Sequence, residues 1–78
     1  MSEADKMFLV IGYKKREKED NKIIYMNMVF STFIEFDLKN KYIRVMTENN
    51  AVSVAPGPIF VDELKAINKK VEELGWND

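Results

Sequence analysis

Few side chains in this chain of 78 residues could carry out chemistry, because it contains neither histidine nor cysteine. A hydroxyl nucleophile needs a neighbouring base to take its proton, and imidazole is the usual one. The serines have no imidazole to pair with, so they are weak candidates for nucleophilic catalysis: Ser2, Ser31 and Ser53.

Paired carboxylates could perform acid–base catalysis, and the sequence contains two such pairs, Glu35 with Asp37 and Glu72 with Glu73. The first pair shares one face of a predicted strand, and the second lies on a predicted helix. Catalytic carboxylates depend on burial to shift their pKa values. We expect both pairs to be solvated, and we predict that the chain is not an enzyme.

Cofactor and metal sites are not indicated either. None of the glycines opens a helix, as a phosphate-binding loop would require; they are Gly12, Gly57 and Gly75. Zinc sites are built mainly from histidine and cysteine, and no acidic run here matches a calcium loop. We therefore predict no cofactor and no bound metal.

A run of basic residues follows the first apolar segment: Lys14, Lys15, Arg16 and Lys18. With nearby tyrosines, such a run could bind single-stranded nucleic acid through charge and stacking. Acidic residues interrupt it at positions 17, 19 and 20, and the formal net charge of the chain is −1. The other interpretation is a solvated hairpin loop over residues 14–22, and the net charge gives no general attraction to nucleic acid or acidic membranes.

Four strands are predicted by runs of β-branched, aromatic and aliphatic residues, at 7–13, 23–38, 42–47 and 51–55. The second exceeds the usual length of about 5–6 residues, so we expect a bend near Ser31 and Thr32. Asparagine favours turns at 39–40 and 48–50, and the Pro-Gly-Pro segment at 56–58 ends the last strand.

One helix is predicted over residues 61–74. Apolar residues recur there at three- and four-residue spacing: Val61, Leu64, Ile67, Val71 and Leu74. Asp62 and Glu63 place negative charge at the positive end of the helix dipole. Gly75 followed by Trp76 is typical of a Schellman cap.

These elements predict one α+β domain over residues 1–78, an antiparallel four-stranded β-meander packed on a single C-terminal helix in the order β-β-β-β-α. Residues 1–6 are polar, and we expect a flexible N-terminus that precedes the sheet over residues 7–55. That N-terminus is unlike a signal peptide, and the apolar run at 7–11 is too short to cross a bilayer. We expect no membrane association and a cytoplasmic location, which suits a chain without cysteine.

Protein binding is the function class that the sequence favours. A meander packed on one helix buries only one sheet face, yet the segment 23–38 carries apolar residues on both. Alternation directs its even-numbered residues to the helix and leaves Tyr25, Val29 and Phe33 exposed. We predict that these residues, with Tyr42, bind a host protein or a second copy of the chain. The alternative is that loops or the N-terminal strand cover this face.

The C-terminal half of the chain, from residue 34 on, contains two segments that bear on its origin, IEFDLKNK at 34–41 and DELKAINKKVEELGW at 62–76. This half resembles short uncharacterised proteins encoded by phages and prophages of Gram-positive bacteria. In that group a strand similar to IEFDLKNK precedes a closing helix that ends in Leu-Gly-Trp. The resemblance implies a phage or mobile-element accessory protein that inhibits or modulates a host protein, and it implies no activity and no site residues.

Three functional hypotheses follow from the sequence. The first is a non-enzymatic protein that binds a host protein. The second is single-stranded nucleic-acid binding by the basic run. The third is a nucleotide-signal sponge that acts as a dimer.

Overall fold

The computed structural model describes residues 2–18, 21–50, 53–56 and 58–76, apart from the side chains at 17, 18, 49, 50 and 53–56. The elements within these residues are α1 (Glu3–Val10), β1 (Lys14–Lys18), β2 (Lys22–Asn27), β3 (Thr32–Asp37), β4 (Tyr42–Asn50), β5 (Ser53–Pro56) and α2 (Val61–Glu73). The strands form one antiparallel sheet in the order β1-β2-β3-β4-β5. The α+β class, the antiparallel meander and the C-terminal helix are confirmed.

The segment predicted as a first strand is mostly helix α1, whose apolar residues follow helical spacing. Ala4 and Phe8 are fully buried, and Met7 and Ile11 pack against the same core. An apolar run of this length fits either a strand or a helix, and the spacing decides between them. The prediction of a strand at 7–13 is wrong, and residues 3–6 belong to α1 and not to a flexible terminus.

Local hydrogen bonds at both ends of α1 explain why it forms. Ser2 Oγ accepts a hydrogen bond from the backbone N–H of Asp5 at 3.1 Å, which makes Ser2 the N-cap. At the other end Gly12 has a φ of +96°, and the N–H of Tyr13 donates to the carbonyl of Phe8 at 2.9 Å. This is a Schellman ending, in which glycine takes the left-handed position.

Helix α2 ends in the same way, as predicted. Gly75 has a φ of +74°, and the N–H of Trp76 donates to the carbonyl of Val71 at 3.0 Å.

The predicted long strand at 23–38 consists of two strands joined by a four-residue turn at 28–31. Asn27 Oδ1 accepts hydrogen bonds from the N–H groups of Val29 (3.0 Å) and Phe30 (3.3 Å), and Ser31 has a φ of +52°. A side-chain oxygen that holds the next N–H groups is a standard turn device. The expected bend near Ser31 is therefore a complete reversal of the chain.

The connection of β3 to β4 uses the same device ten residues later. Asp37 Oδ1 accepts from the N–H groups of Lys39 (3.0 Å) and Asn40 (2.8 Å), and Lys41 has a φ of +57°. This confirms the turn predicted at 39–40. The turn predicted at 48–50 is wrong, because β4 continues to Asn50, and residues 51–52 lie outside the described residues.

The pairing register gives the sheet two different faces. Tyr25, Ile34 and Val45 lie side by side on the face that packs against both helices, here called the helix face. The core on this side comprises Phe8, Tyr13, Tyr25, Ile34, Phe36, Ala66 and Ile67. The opposite face is here called the open face.

Helix α2 is rotated relative to the apolar stripe predicted for it. Its buried residues are Glu63, Ala66, Ile67 and Lys70, whereas Val61 and Leu64 are 68% and 46% exposed. Two charged side chains are buried because each has partners, which are described below. The prediction that Val61 and Leu64 pack in the core is therefore wrong.

Candidate functional site

Exposed apolar side chains gather at one end of the molecule. They come from the end of α1, the β2–β3 turn and the start of α2. The surface that they form, here called the apolar end, comprises Leu9, Val10, Met28, Val29, Phe30, Ile59, Phe60, Val61 and Leu64. Solvent-facing residues of this kind are usually scattered singly, so their clustering indicates an interaction surface.

The antiparallel packing of the two helices brings these segments together. At one end of the pair, Glu73 of α2 accepts a hydrogen bond from the N–H of Ala4 at 2.8 Å, which caps the start of α1. At the other end, the Tyr13 hydroxyl, just beyond α1, donates to Glu63 in the first turn of α2. Asn27 Nδ2 reaches the carbonyl of Ile11 at 3.5 Å and so places the β2–β3 turn beside them.

Glu63 fixes the geometry of the apolar end. One of its oxygens accepts the N–H of Phe60 at 2.8 Å, which satisfies an N-terminal amide of α2, and the other accepts the Tyr13 hydroxyl. Burial, the hydrogen bond to Glu63 and the charge of Glu63 raise the pKa of Tyr13 well above its ordinary value. Tyr13 therefore stays protonated and keeps donating at any physiological pH.

Two adjoining cavities open at the apolar end. The first has a volume of about 170 Å³ and the second of about 240 Å³. Both are lined by Phe30, Thr32, Phe60 and Glu63, while Asp62 borders the first. Each is smaller than the roughly 300–1,000 Å³ of a typical small-ligand pocket, and each is of the order of one large side chain.

The predicted partner-binding residues are not brought together in one site. Tyr25 is fully buried on the helix face, so the expectation that it is exposed is wrong. Val29 is 85% exposed at the tip of the β2–β3 turn and belongs to the apolar end. Phe33 and Tyr42 lie on the open face, where each is partly buried, near opposite ends of the β3–β4 pair.

Several residues of the apolar end were missed by the sequence analysis, chiefly Met28, Phe30, Ile59 and Phe60. The available signal was the composition of the segment 28–30, which is entirely apolar although it lies between the turn-forming residues Asn27 and Ser31. Apolar residues in a short turn have no core to enter, so they lie on the surface.

The basic run is divided between the two faces. It forms strand β1 and not the predicted loop, and Lys14 and Arg16 are exposed on the open face. Lys15 lies on the helix face and its Nζ pairs with Asp5 Oδ2 at 3.3 Å. Lys18 ends β1, and its side chain is outside the described residues.

The open face carries rows of residues that the register aligns across the strands. One row joins Met26, Phe33 and Met46, and the next joins Ile24, Glu35 and Arg44. Glu35 is only 7% exposed, and its Oε2 has no hydrogen-bond partner within the part of the chain that the structure describes.

Asp37 is buried as well, at 4% exposure. The expectation that Glu35 and Asp37 are solvated is therefore wrong. Hydrogen bonds from the backbone N–H of Asn40, among others, hold the pKa of Asp37 below its ordinary value, although burial acts in the opposite direction. Asp37 is thus fully occupied by the β3–β4 turn.

A second polar cluster ties α1 to α2 and the sheet. Lys70 Nζ lies 3.6 Å from Asp5 Oδ1 and 3.8 Å from Glu73 Oε1, and Asp5 Oδ1 also accepts the Tyr25 hydroxyl at 2.5 Å. Burial alone would raise the pKa of Asp5. The hydrogen bond from Tyr25 and the charges of Lys70 and Lys15 outweigh it, so this pKa lies below its ordinary value. These charges hold the helices in place.

The part of the chain that the structure describes contains no group of three or more acidic side chains placed to hold a metal ion. Neither helix there is long and apolar enough to cross a membrane. Compared with known proteins, the chain matches no family model, no curated protein and no solved structure.

Proposed function

We propose that this chain is a non-enzymatic accessory protein that binds another protein through its apolar end. The observation that carries the proposal is that all the large apolar side chains that are exposed in the described part of the chain gather on three adjoining segments. The resemblance of the C-terminal half to short phage and prophage proteins supports a bacterial host protein as the partner, which this chain would inhibit or modulate.

The size of the apolar end supports a protein partner. Phe30 and Phe60 are 71% and 69% exposed, so these two rings alone expose on the order of 200–350 Å² if each phenylalanine offers about 150–250 Å². The largest apolar patch on an ordinary monomer is about 300–600 Å² in total. With the aliphatic side chains of the other members added, the apolar end exceeds what solubility alone would favour.

The two cavities suggest how the partner binds. Their shared walls, Phe30 and Phe60, separate spaces that each suit one large aliphatic or aromatic side chain. A partner segment with two neighbouring apolar anchors would fill both, which is how interfaces concentrate their binding energy. The nucleotide-signal sponge stays a prediction, because its binding site would form between two copies of the chain and not in either cavity.

Affinity capture from a Gram-positive host lysate tests the proposal. Wild-type chain and the double variant Phe30→Ser/Phe60→Ser are used as baits, with mass spectrometry as the readout. We expect a host protein that the wild type retains and the double variant loses, because the variant removes both rings that line the cavities. Purified partner should then bind wild type with a negative heat-capacity change, the sign of apolar burial.

Phe33→Ser is the matched control, since it removes one aromatic ring from the open face instead. Circular dichroism should show that all variants keep their helices. If Phe33→Ser loses the partner and the double variant retains it, the binding surface lies on the open face and not at the apolar end. If the wild-type bait retains no host protein in a larger amount than the double variant does, the proposal is refuted.

Single-stranded nucleic-acid binding is the second candidate. One observation favours it, namely that the exposed cations Lys14, Arg16 and Arg44 share the open face with the aromatic rings of Phe33 and Tyr42. Charge and stacking on one sheet face is the arrangement used to bind single strands. A fluorescence anisotropy titration with a labelled oligonucleotide decides it, since true phosphate contacts weaken steeply as salt rises.

A further inference from the structure

The open face contains a buried acceptor for which the described part of the chain supplies no donor. Glu35 lies at the middle of the central strand, β3, and its Oε2 is buried without a hydrogen-bond partner among the described residues. Buried carboxylates are almost always paired, because burial of an unpaired charge is costly. A group of this kind on a face that neither helix covers indicates a donor from another molecule.

The donors that could serve Glu35 are present on the same face but point elsewhere. Arg44 is directly opposite Glu35 on β4, yet its Nη2 donates to the Tyr42 hydroxyl at 3.3 Å and its Cζ lies 5.3 Å from the Tyr42 ring centre. Arg16 lies two strands away on β1, with Nη1 3.9 Å from Met26 Sδ. The open face therefore offers an unused acceptor beside an exposed guanidinium.

We propose that two copies of this chain pair through their open faces, and that Glu35 of each copy accepts Arg44 of the other. The two-fold axis lies between the faces, parallel to the strands and midway between β3 and β4. Such an axis places each β3 residue over its β4 register partner in the second copy. The inference does not depend on the proposed function, which uses the apolar end.

The register partners across β3 and β4 are complementary along the open face. Glu35 is paired with Arg44, and Phe33 with Met46. In the dimer these pairs become acid with base and apolar with apolar. This self-complementarity selects a second copy as the occupant, whereas a nucleic acid would place its phosphates against the carboxylate of Glu35.

The dimensions of the face predict a weak dimer. Strands about 4.8 Å apart, each about 20 Å long, give a face of roughly 20 Å by 20 Å. This is small beside the roughly 800 Å² that each partner buries in a standard interface. The association must therefore be measured at chain concentrations from about 10 μM to about 1 mM, in the weak range for such an interface.

A charge exchange across the interface tests the proposal by sedimentation equilibrium. Glu35→Arg alone sets two arginines against each other in the dimer, and Arg44→Glu alone sets two glutamates against each other, so each variant should be monomeric. An equimolar mixture restores both oppositely charged pairs and should form dimers. Lys65→Glu on the exposed surface of α2 makes the same change in charge as Arg44→Glu and should leave the dimer intact.

The mixture separates an interface from a folding defect, since two misfolded chains would not rescue each other. If circular dichroism shows that Glu35→Arg does not fold, Glu35→Gln replaces it and should raise the dissociation constant about tenfold or more. Wild type that stays monomeric at about 1 mM, the upper end of the range over which this weak dimer should form, would overturn the proposal. A mixture of two folded variants that stays monomeric would also overturn it. So would the loss of oligonucleotide binding in the Arg44→Glu chain when the wild type is a monomer, because the open face would then bind nucleic acid and not a second copy.

Discussion

Replacement of Tyr25 tests whether this residue lies in the core or on the surface, and the structure predicts a large loss of stability. The ring of Tyr25 stacks on Phe8, with centroids 3.9 Å apart and planes at 18°, and it meets Phe36 edge-on at 5.8 Å. Its hydroxyl donates to Asp5 Oδ1 at 2.5 Å. Tyr25→Ser removes all of these contacts, whereas Tyr25→Phe removes only the hydroxyl.

The expected losses follow from those contacts. Truncation of a buried aromatic side chain costs about 3–5 kcal/mol. A domain of 78 residues has a total stability of about 4–12 kcal/mol, so Tyr25→Ser should remove between about a quarter of that stability and all of it. Tyr25→Phe leaves the rings packed and loses one hydrogen bond to a charged group, which is worth about 1.5–3 kcal/mol.

Urea denaturation followed by circular dichroism at 25 °C measures both variants. Val29→Ser is the control, because Val29 is 85% exposed at the tip of the β2–β3 turn, and it should lose less than about 1 kcal/mol. A Tyr25→Ser chain within about 1 kcal/mol of wild type would refute the reasoning, since changes at exposed sites are of this size or less. It would mean that β2 presents its opposite face to the helices, which requires only a one-residue slip in register.

Four further predictions concern the cap glycines and the ion cluster. Gly75→Ala should cost about 1–2 kcal/mol in urea denaturation, because alanine resists the left-handed conformation. Gly12→Ala should cost more stability than Gly75→Ala, since the added Cβ would also lie 3.1 Å from Asn27 Nδ2. Equal losses of stability in the two variants would contradict this explanation. Lys70→Met should lose about 2–3 kcal/mol of stability, less than the loss of about 3–5 kcal/mol when a fully buried pair is broken. The loss is smaller because the carboxylates of Asp5 and Glu73, which face Lys70, are 13% and 23% exposed. An unchanged melting curve would exclude a role of Lys70 in stability. The pKa of Asp5 in the folded state lies below its unfolded value of about 3.9. The contribution of Asp5 to the free energy of unfolding is therefore complete above that pH and is lost as the pH falls through the folded-state pKa. The difference in stability between wild type and Asp5→Asn should narrow below about pH 4 and not above it.

The misplacement of Tyr25 has a specific physical cause. In one continuous strand, the side chains on a given face keep the same parity, so even-numbered residues from 24 to 36 would share the core. In the structure Asn27 pairs with Thr32 across a four-residue turn, so odd residues of β2 are aligned with even residues of β3. The prediction for β3 was right, with Ile34 and Phe36 buried, and the parity of β2 was inverted because the reversal was taken for a bend.

Helix α1 could have been recognised from the sequence by the reasoning applied to α2. Ile11-Gly12-Tyr13 has the same pattern as Leu74-Gly75-Trp76, and both end in the same backbone hydrogen bonds. Ser2 stands three residues before Asp5, as a capping sequence requires. The residue types between these caps favour a strand, and the wrong prediction rests on them. On so short a segment the caps are the more informative signal.

The part of the apolar end that α2 contributes could not have been predicted, because it depends on pairings between residues distant in the sequence. Glu63 turns inward to meet Tyr13, fifty positions away, and Lys70 turns inward to meet Asp5. These two anchors lie seven residues apart on α2, which is nearly two full turns, so they fix one side of the helix against α1 and Tyr13. Val61 and Leu64 then remain outside, although their spacing matches a core stripe. The helix thus leaves apolar area exposed and keeps its buried charges paired, and the exposed area remains available to a partner protein.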